Sequence, residues 1–512
     1  MGASLLAPLG ASVLALLAVS LGALAAGCHH DDAGTSVRVA LAYDNALGLE
    51  TADVTLGSRT ESGKIAHELL LLVPDELAGT EMPIEVWARK AGKRSAYGTT
   101  TAVPQRGKTV AAELSLTACT PACTGDMLMT CTGPMVSCAL GCTEDGDAHC
   151  VGPHPSNGVD PTAADAVQGS VAIAAATTFD TSTGAITGGL VRAAGTGVIG
   201  GVGYVQAPPS GTGGAPLGIF VFHNLTIASG VTVRFTGTRA AVILAGDMVV
   251  VAGTIEVKAS AATGGPGGGA GGSEIGLAQG CGAGGPGVRE SFRDSGGGGG
   301  GGGEAGGPGG DCVATPGGAS GTACLPMLLE PLQGGSGGGA GSRGNTASAA
   351  AGGGGGGALQ ITALGTITIS GAINAAGAHG QGGPASASDG GSGAGGGAGG
   401  AILLEAPTVV TTSTAILAAN GGGGGGGGGT VAGGDGQDGR LAISPCDGGN
   451  QGELNTNGGT GGALDSPPDV GGSGMTSSGG GGGGIGAIVI RGRTRSIAGM
   501  ISPHAVQADV HP

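Results

Sequence analysis

One phrase is written five times in the C-terminal part of the chain, and no other feature restricts the fold as tightly. It reads GIFVFHNLTIASGVTV from Gly218, AVILAGDMVVVAGTIEV from Ala241, ALQITALGTITISGAIN from Ala358, AILLEAPTVVTTSTAIL from Ala401 and AIVIRGRTRSIAGMIS from Ala487. Each copy opens with a small residue and an apolar triplet, breaks at a polar position, and continues as a second β-branched run. A small corner and a last Ile or Val close it. The first two copies start 23 residues apart. That is about one coil of a parallel β-helix, whose short strands stack about 4.8 Å apart. The spacing predicts a solenoid over residues 171–512.

The later copies are further apart, and the surplus is almost all glycine. Of 512 residues, 122 are Gly, and nine follow one another after Asn420. Such runs usually form slack linkers, because glycine loses the most freedom on ordering and offers no side chain to a core. Here the runs fall at about 262–357, 377–400 and 420–486, each entered after the closing strand of a copy. Linkers between independent domains have no reason to recur at one phase of a repeat. The inserts are therefore expected to leave one corner of the solenoid, one above another. Ordering the longest costs on the order of 100 kcal/mol of backbone entropy. Only backbone hydrogen bonds between closely packed chains could offset that, as in the polyglycine-II packing of some antifreeze proteins and phage tip adhesins. The sequence leaves their order open. No Gly-X-Y register is kept, which excludes collagen.

Ahead of the solenoid lie further predicted units. Residues 35–117 hold short alternating strands such as SVRVALAY and MPIEVWARK, with turn signals about every ten residues. They read as a small antiparallel β-sandwich, similar to immunoglobulin-like or prealbumin-like modules. Trp87 belongs to one of its strands. Residues 118–151 contain a duplicated cysteine unit, with Cys119, Cys123 and Cys131 spaced like Cys138, Cys142 and Cys150. In an oxidising compartment these predict three disulfides, with the pairing open, in place of a zinc site. Cys281, Cys312, Cys324 and Cys446 fall inside the inserts and predict two more. A Pro-rich stretch, 152–170, reads as a linker. The fold class is all-β throughout.

The amino terminus supplies an address. Met1 to His30 contains no Asp, Glu, Lys or Arg, and LAAGC, from Leu24 to Cys28, resembles the lipobox of bacterial lipoproteins. The resemblance implies a cleaved signal over 1–27, lipid attachment at Cys28, a tether over 28–34 and an extracytoplasmic, membrane-anchored chain. His29 stands where an Asp would retain such a lipoprotein at the inner membrane, which favours the outer membrane or the cell surface of a Gram-negative bacterium. The chain as a whole resembles glycine-rich bacterial surface lipoproteins. A formal charge of −16 and 9 aromatic residues argue against nucleic acid as a partner.

Chemistry is sparse. GGDGQDGRL from Gly433 resembles the calcium nonapeptide of RTX proteins around Asp438, but stands alone, and reads as an acidic loop. No glycine run ends in Gly-Lys-Ser/Thr, so none is a phosphate loop. Aligning the copies puts Ala245, Thr362, Glu405 and Arg491 in one column. The last two predict a stacked ion pair, worth less than about 1 kcal/mol at an exposed site. Asp247 and Glu256 have no acidic counterparts in the other copies, and His223, His379 and His504 sit at unrelated phases. No catalytic set, metal site or cofactor is expected. The expected role is structural or adhesive, toward a matrix, a polysaccharide or a protein, with membrane contact through the lipid on Cys28. The alternative is a carbohydrate-active β-helix lyase or glycosidase, which needs carboxylates converging on one face. A degenerate low-complexity chain is a third reading, and requires protease sensitivity throughout 262–486.

Overall fold

The computed structural model describes residues 34–511 apart from 57, 58, 132, 139, 145 and 347. The signal, Cys28 and most of the tether lie outside the described residues. The chain divides into two compact units, one N-terminal and one spanning most of residues 148–512; the cysteine-rich segment contributes to both.

The N-terminal unit holds the sandwich. One sheet orders Glu68–Leu72, Ser36–Ala42 and Thr109–Ser115; the other orders Arg59–Lys64, Thr51–Leu56, Met82–Lys90, Lys93–Ala102 and Thr117–Ala118. Alternation sends Val37, Val39 and Leu41 into a core shared with Ile84, Val86 and Ala88. One pairing departs from the antiparallel expectation: Ser36–Ala42 runs parallel to Thr109–Ser115. The strand Arg59–Lys64, RTESGK, has no apolar residue to signal it. Trp87 is half-buried against Tyr97, with the Arg94 guanidinium 4.7 Å from its ring centre.

The second unit is a three-sided solenoid. Its parallel ladders run through Leu217–Phe222, Ala240–Ala245, Ala358–Ala363, Ala401–Glu405 and Ala487–Arg491 on one side. Asn224–Ile227, Met248–Val251, Thr366–Ile369, Thr408–Thr411 and Thr494–Ile497 form the second side. Thr232–Thr236, Thr254–Glu256, Ala372–Asn374, Ile416–Ala418 and Met500–Ser502 form the third. The five phrases are thus successive coils. Inside, Ile243, Ile361, Leu404 and Ile490 stack in register, as do Ile255, Ile373, Leu417 and Ile501. A fully buried side chain of this kind contributes roughly 1.5–3 kcal/mol. An earlier coil, with Ser170–Ile173 and Thr177–Asp180, widens the start, where Phe179, Phe220, Phe222, Phe235 and Tyr204 pack together.

The first side is buried on both faces. Its strands therefore read as unbroken apolar runs, where a half-exposed strand would alternate. The outer face is covered by Val159, Ala164, Val167, Leu329 and Leu332. The stretch expected to be a linker, 152–170, is in this part a packed cover of the solenoid.

The inserts leave where predicted, after Glu256, Asn374 and Ala418, and return at Ala358, Ala401 and Ala487. They are ordered, and Gly421–Gly429 shows how. Their N–H groups donate to three segments in rotation. Gly421, Gly424 and Gly427 donate to Gly462, Gly459 and Thr456; Gly422, Gly425 and Gly428 to Gly397, Ala394 and Gly391. Gly423, Gly426 and Gly429 donate to Gln437, Gly434 and Val431. Their carbonyls accept from three further segments: Gly423 and Gly426 from Gly380 and Gly383, Gly424 and Gly427 from Gly449 and Gly452, Gly422 and Gly425 from Gly483 and Gly480. A chain that meets a new neighbour at each residue and the same one every third has three residues per turn, the polyproline-II geometry. Six neighbours surround it.

This arrangement explains the unbroken runs. Collagen turns one position in three to its axis; here all three directions face another backbone. A Cβ on Gly424, Gly425 or Gly426 would collide with the carbonyl oxygen of Gly480, Gln381 or Asn450. One spiral of bonds crosses all three inserts: Gly399 to Gly484, Gly484 to Gly300, Gly300 to Gly396, Gly396 to Gly481, and Gly481 to Gly297. A backbone hydrogen bond contributes about 0.5–1.5 kcal/mol net, against about 1–2 kcal/mol to order a residue. Bonding both the N–H and the C=O brings the two close to balance.

Candidate functional site

The cysteines come first, since they fix where the chain is held. Cys119 pairs with Cys131, Cys138 with Cys150, and the middle cysteines Cys123 and Cys142 pair across the two copies. The duplication is therefore also a duplication of pairing. Cys281 and Cys324 close a clip in the first insert, with Cα atoms 5.9 Å apart. The second expected clip does not form: Cys312 and Cys446 are free and buried. Cys312 lies in a turn with Thr315, beside Gly474, while the Cys446 thiol donates to the Gly421 carbonyl at 3.2 Å. Burial pushes both thiols up from their ordinary range.

The other singled-out residues are scattered. Asp438 of the calcium-like loop accepts from His379 Nδ1 at 2.7 Å, and Asp435 accepts from the Gly382 N–H. The Asp438 hydrogen bond raises His379 and lowers Asp438. Among the described residues no group of three His, Cys, Asp or Glu could hold a metal. Glu256 pairs with Arg234 at 3.0 Å, and His504 faces Asp465 at 3.4 Å on the surface. The main chain of Asp247 bonds to Gly365, Thr366 and His223.

The predicted column is off by one at its start: Thr362 faces Leu244, not Ala245. Glu405 and Arg491 do face each other, but neither is exposed, so the value expected for a surface pair does not apply. Glu405 accepts from the Ser156 N–H and hydroxyl, from Gln360 Nε2 at 2.8 Å and from Thr362. Burial raises its pKa despite these donors and Arg491. A carboxylate sealed beneath a cover and paired with arginine is a structural group.

The far end of the inserts is open to a partner. A leg of nine residues at about 3.1 Å each reaches about 28 Å from the solenoid. There the chain turns back at 273–276, 289–294, 312–315, 343–346, 385–389, 429–432, 452–456 and 473–477. Neighbouring turns are bound together. Arg343 pairs with Glu274 at 3.0 Å, Arg289 with Asp389 at 3.0 Å, Asp294 N–H donates to Thr476, and Cys312 bridges to Gly474. Glu453 accepts from the N–H groups of Thr476 and Ser477, and Ser386 donates to Gly429.

Six of these turns hold out one large apolar side chain. Ile275 is 98% exposed, Met475 75%, Leu454 73% and Phe292 61%; Val313 and Val431 are similarly open. Phe292 and Val313 have φ of 66° and 52°, in the left-handed region that favours glycine or asparagine. A side chain kept there against a cost of about 1–3 kcal/mol points to use. These residues escaped the sequence reading. Phe292 was the available signal: it is the one phenylalanine outside the solenoid core, placed in a glycine tract that has no core to offer.

No protein-family model matches the chain, and no curated protein or solved structure shows significant similarity to it.

Proposed function

We propose that this is a lipid-anchored envelope or surface protein with a structural or adhesive role and no catalysis, in which the insert tips make the contact. The observation that carries this reading is the set of exposed apolar side chains on six turns that are cross-bound to one another. A contact surface already ordered loses little entropy on binding. Apolar groups displayed on polar, glycine-rich turns suit a broad, weakly charged surface such as a matrix, a polysaccharide or a neighbouring protein. Four disulfides support an oxidising, extracytoplasmic setting. The anchor is the acyl group on Cys28, and no helix among the described residues is long and apolar enough to cross a membrane.

The test uses the full-length protein and a variant with Ile275, Phe292, Leu454 and Met475 all changed to Ser. Retention on alkyl-coated and on hydroxyl-coated surfaces is compared by surface plasmon resonance. The wild type is expected to be held on the alkyl surface at least tenfold more strongly than the variant, with unchanged melting. Equal retention would remove the tips from the function. Fractionation and intact mass test the anchor, which requires a mature chain starting at an acylated Cys28.

A further inference from the structure

Asp294 lies in the first insert and Asp389 in the second, and neither carboxylate reaches solvent. Asp294 Oδ1 accepts from the Ser342 hydroxyl and lies 3.9 Å from Arg289 Nε. Asp389 Oδ2 is 3.0 Å from Arg289 Nη2. The remaining oxygens, Asp294 Oδ2 and Asp389 Oδ1, are buried and have no hydrogen-bond partner among the described residues. One guanidinium thus serves two carboxylates, and a negative charge is left over in a closed place. An unpaired buried charge costs several kcal/mol.

Among the described residues the surroundings supply no second cation. Asn345 donates its N–H to the Asp389 carbonyl, and the Ser392 hydroxyl donates to the Asp294 carbonyl. The Cys312 thiol is kept neutral by burial. Glu453 is occupied by Thr476 and Ser477, and Arg293 is exposed on its hairpin. None of them reaches the two open oxygens.

We propose that Asp294 and Asp389 hold one proton between them, and that this carboxyl–carboxylate pair is an acid-stabilised latch joining the first two inserts behind the tips. The proton lets one carboxyl donate to the other across the arginine they share, and cancels the surplus charge. Burial, aided by the like charge of Asp389, raises Asp294 to about 6. A carboxyl raised in the folded state contributes stability in acid and loses it as pH rises through its folded value. The latch therefore holds at pH 5 and is loosened at pH 8.

Hydrogen exchange of the full-length protein tests this, read on peptides covering 289–294 and 385–392 and corrected for intrinsic rates. Between pH 5 and pH 8 the wild-type opening equilibrium should rise about tenfold. Asp294→Asn should be flat over that range, and Asp389→Asn, which keeps the burial of Asp294 but removes the like charge, should rise by clearly less than the wild type. A flat wild type, or a tenfold rise kept in either variant, would overturn the proposal. So would protection at pH 8 restored by calcium chloride and removed by EDTA, which would make the pair a cation site. Should both variants misfold, the wild type alone decides. A protonated-carboxyl infrared band must be present at pH 5 and vanish with a midpoint near 6, and its absence at pH 5 is fatal.

Discussion

Glu405 Oε1 and Arg491 Nε lie 3.8 Å apart on adjacent coils, both closed off from solvent. Arg491 also meets His511 Nε2 at 2.7 Å, the Leu328 carbonyl at 3.2 Å and the Glu330 carboxylate. A buried pair behaves unlike a surface pair, because removing one member strands the other. Arg491→Ala, which leaves Glu405 buried without a cation, should cost about 3–5 kcal/mol of stability, and Glu405→Ala, which leaves Arg491 with Glu330, should cost less. The double change to Leu should cost clearly less than the sum. Urea unfolding of the full chain measures all three, and single losses below about 1 kcal/mol would show the pair to be a surface-like contact.

The His379–Asp438 contact ties the second insert to the third at 2.7 Å. His379 is raised by that hydrogen bond, so its contribution is complete below the ordinary histidine value near 6.5 and fades as pH rises through the raised one. Asp438 is lowered, so its share is lost in acid, as pH falls through the lowered value. An NMR titration should place the His379 midpoint above 6.5, and Asp438→Asn should bring it down. A wild-type midpoint at or below 6.5 would mean that the contact does not persist in solution.

Glycine inside the lattice is a steric requirement, whereas at a turn it is a convenience. Gly425→Ala should lower stability by at least about 1–3 kcal/mol, the usual cost of overpacking, since its Cβ has no direction free of backbone. Gly276→Ala, whose Cβ would stand 3.4 Å from the Ser273 hydroxyl, should be close to neutral. Differential scanning calorimetry of the two variants compares them directly. Equal effects would count against the six-neighbour packing.

Cys312 and Cys446 should resist alkylation in the native state and react once the chain is unfolded without reductant. Peptide mapping should then find label on these two and none on Cys281 or Cys324. Label on Cys281, or a disulfide joining Cys312 to Cys446, would contradict the arrangement.

Much of this fold is legible in the sequence because the solenoid repeats its own instructions. The apolar triplets at Ala358, Ala401 and Ala487 mark coils that the structure stacks in that order. The one-residue slip at the second copy has a plain cause. Ala240 and Ala241 are both small, so the phrase has two possible starting points, and period-two side chains move together when the wrong one is taken. Other features leave no local trace. Arg59–Lys64 is a strand made by its neighbours, and the cover over 156–167 is recognisable only once the face beneath it is known. The Asp294–Asp389 pair joins residues far apart in sequence, so neither aspartate announces the other.

The threefold rotation of bonding partners has an evolutionary corollary. An outward leg and the leg that brings the chain back must stay in step with every strand around them. Glycine tracts in such a protein can therefore lengthen or shorten without penalty only by whole triplets, added to both legs at once. Descendants of this sequence should differ in reach by discrete increments, while their terminal turns keep the exposed apolar side chains that they present.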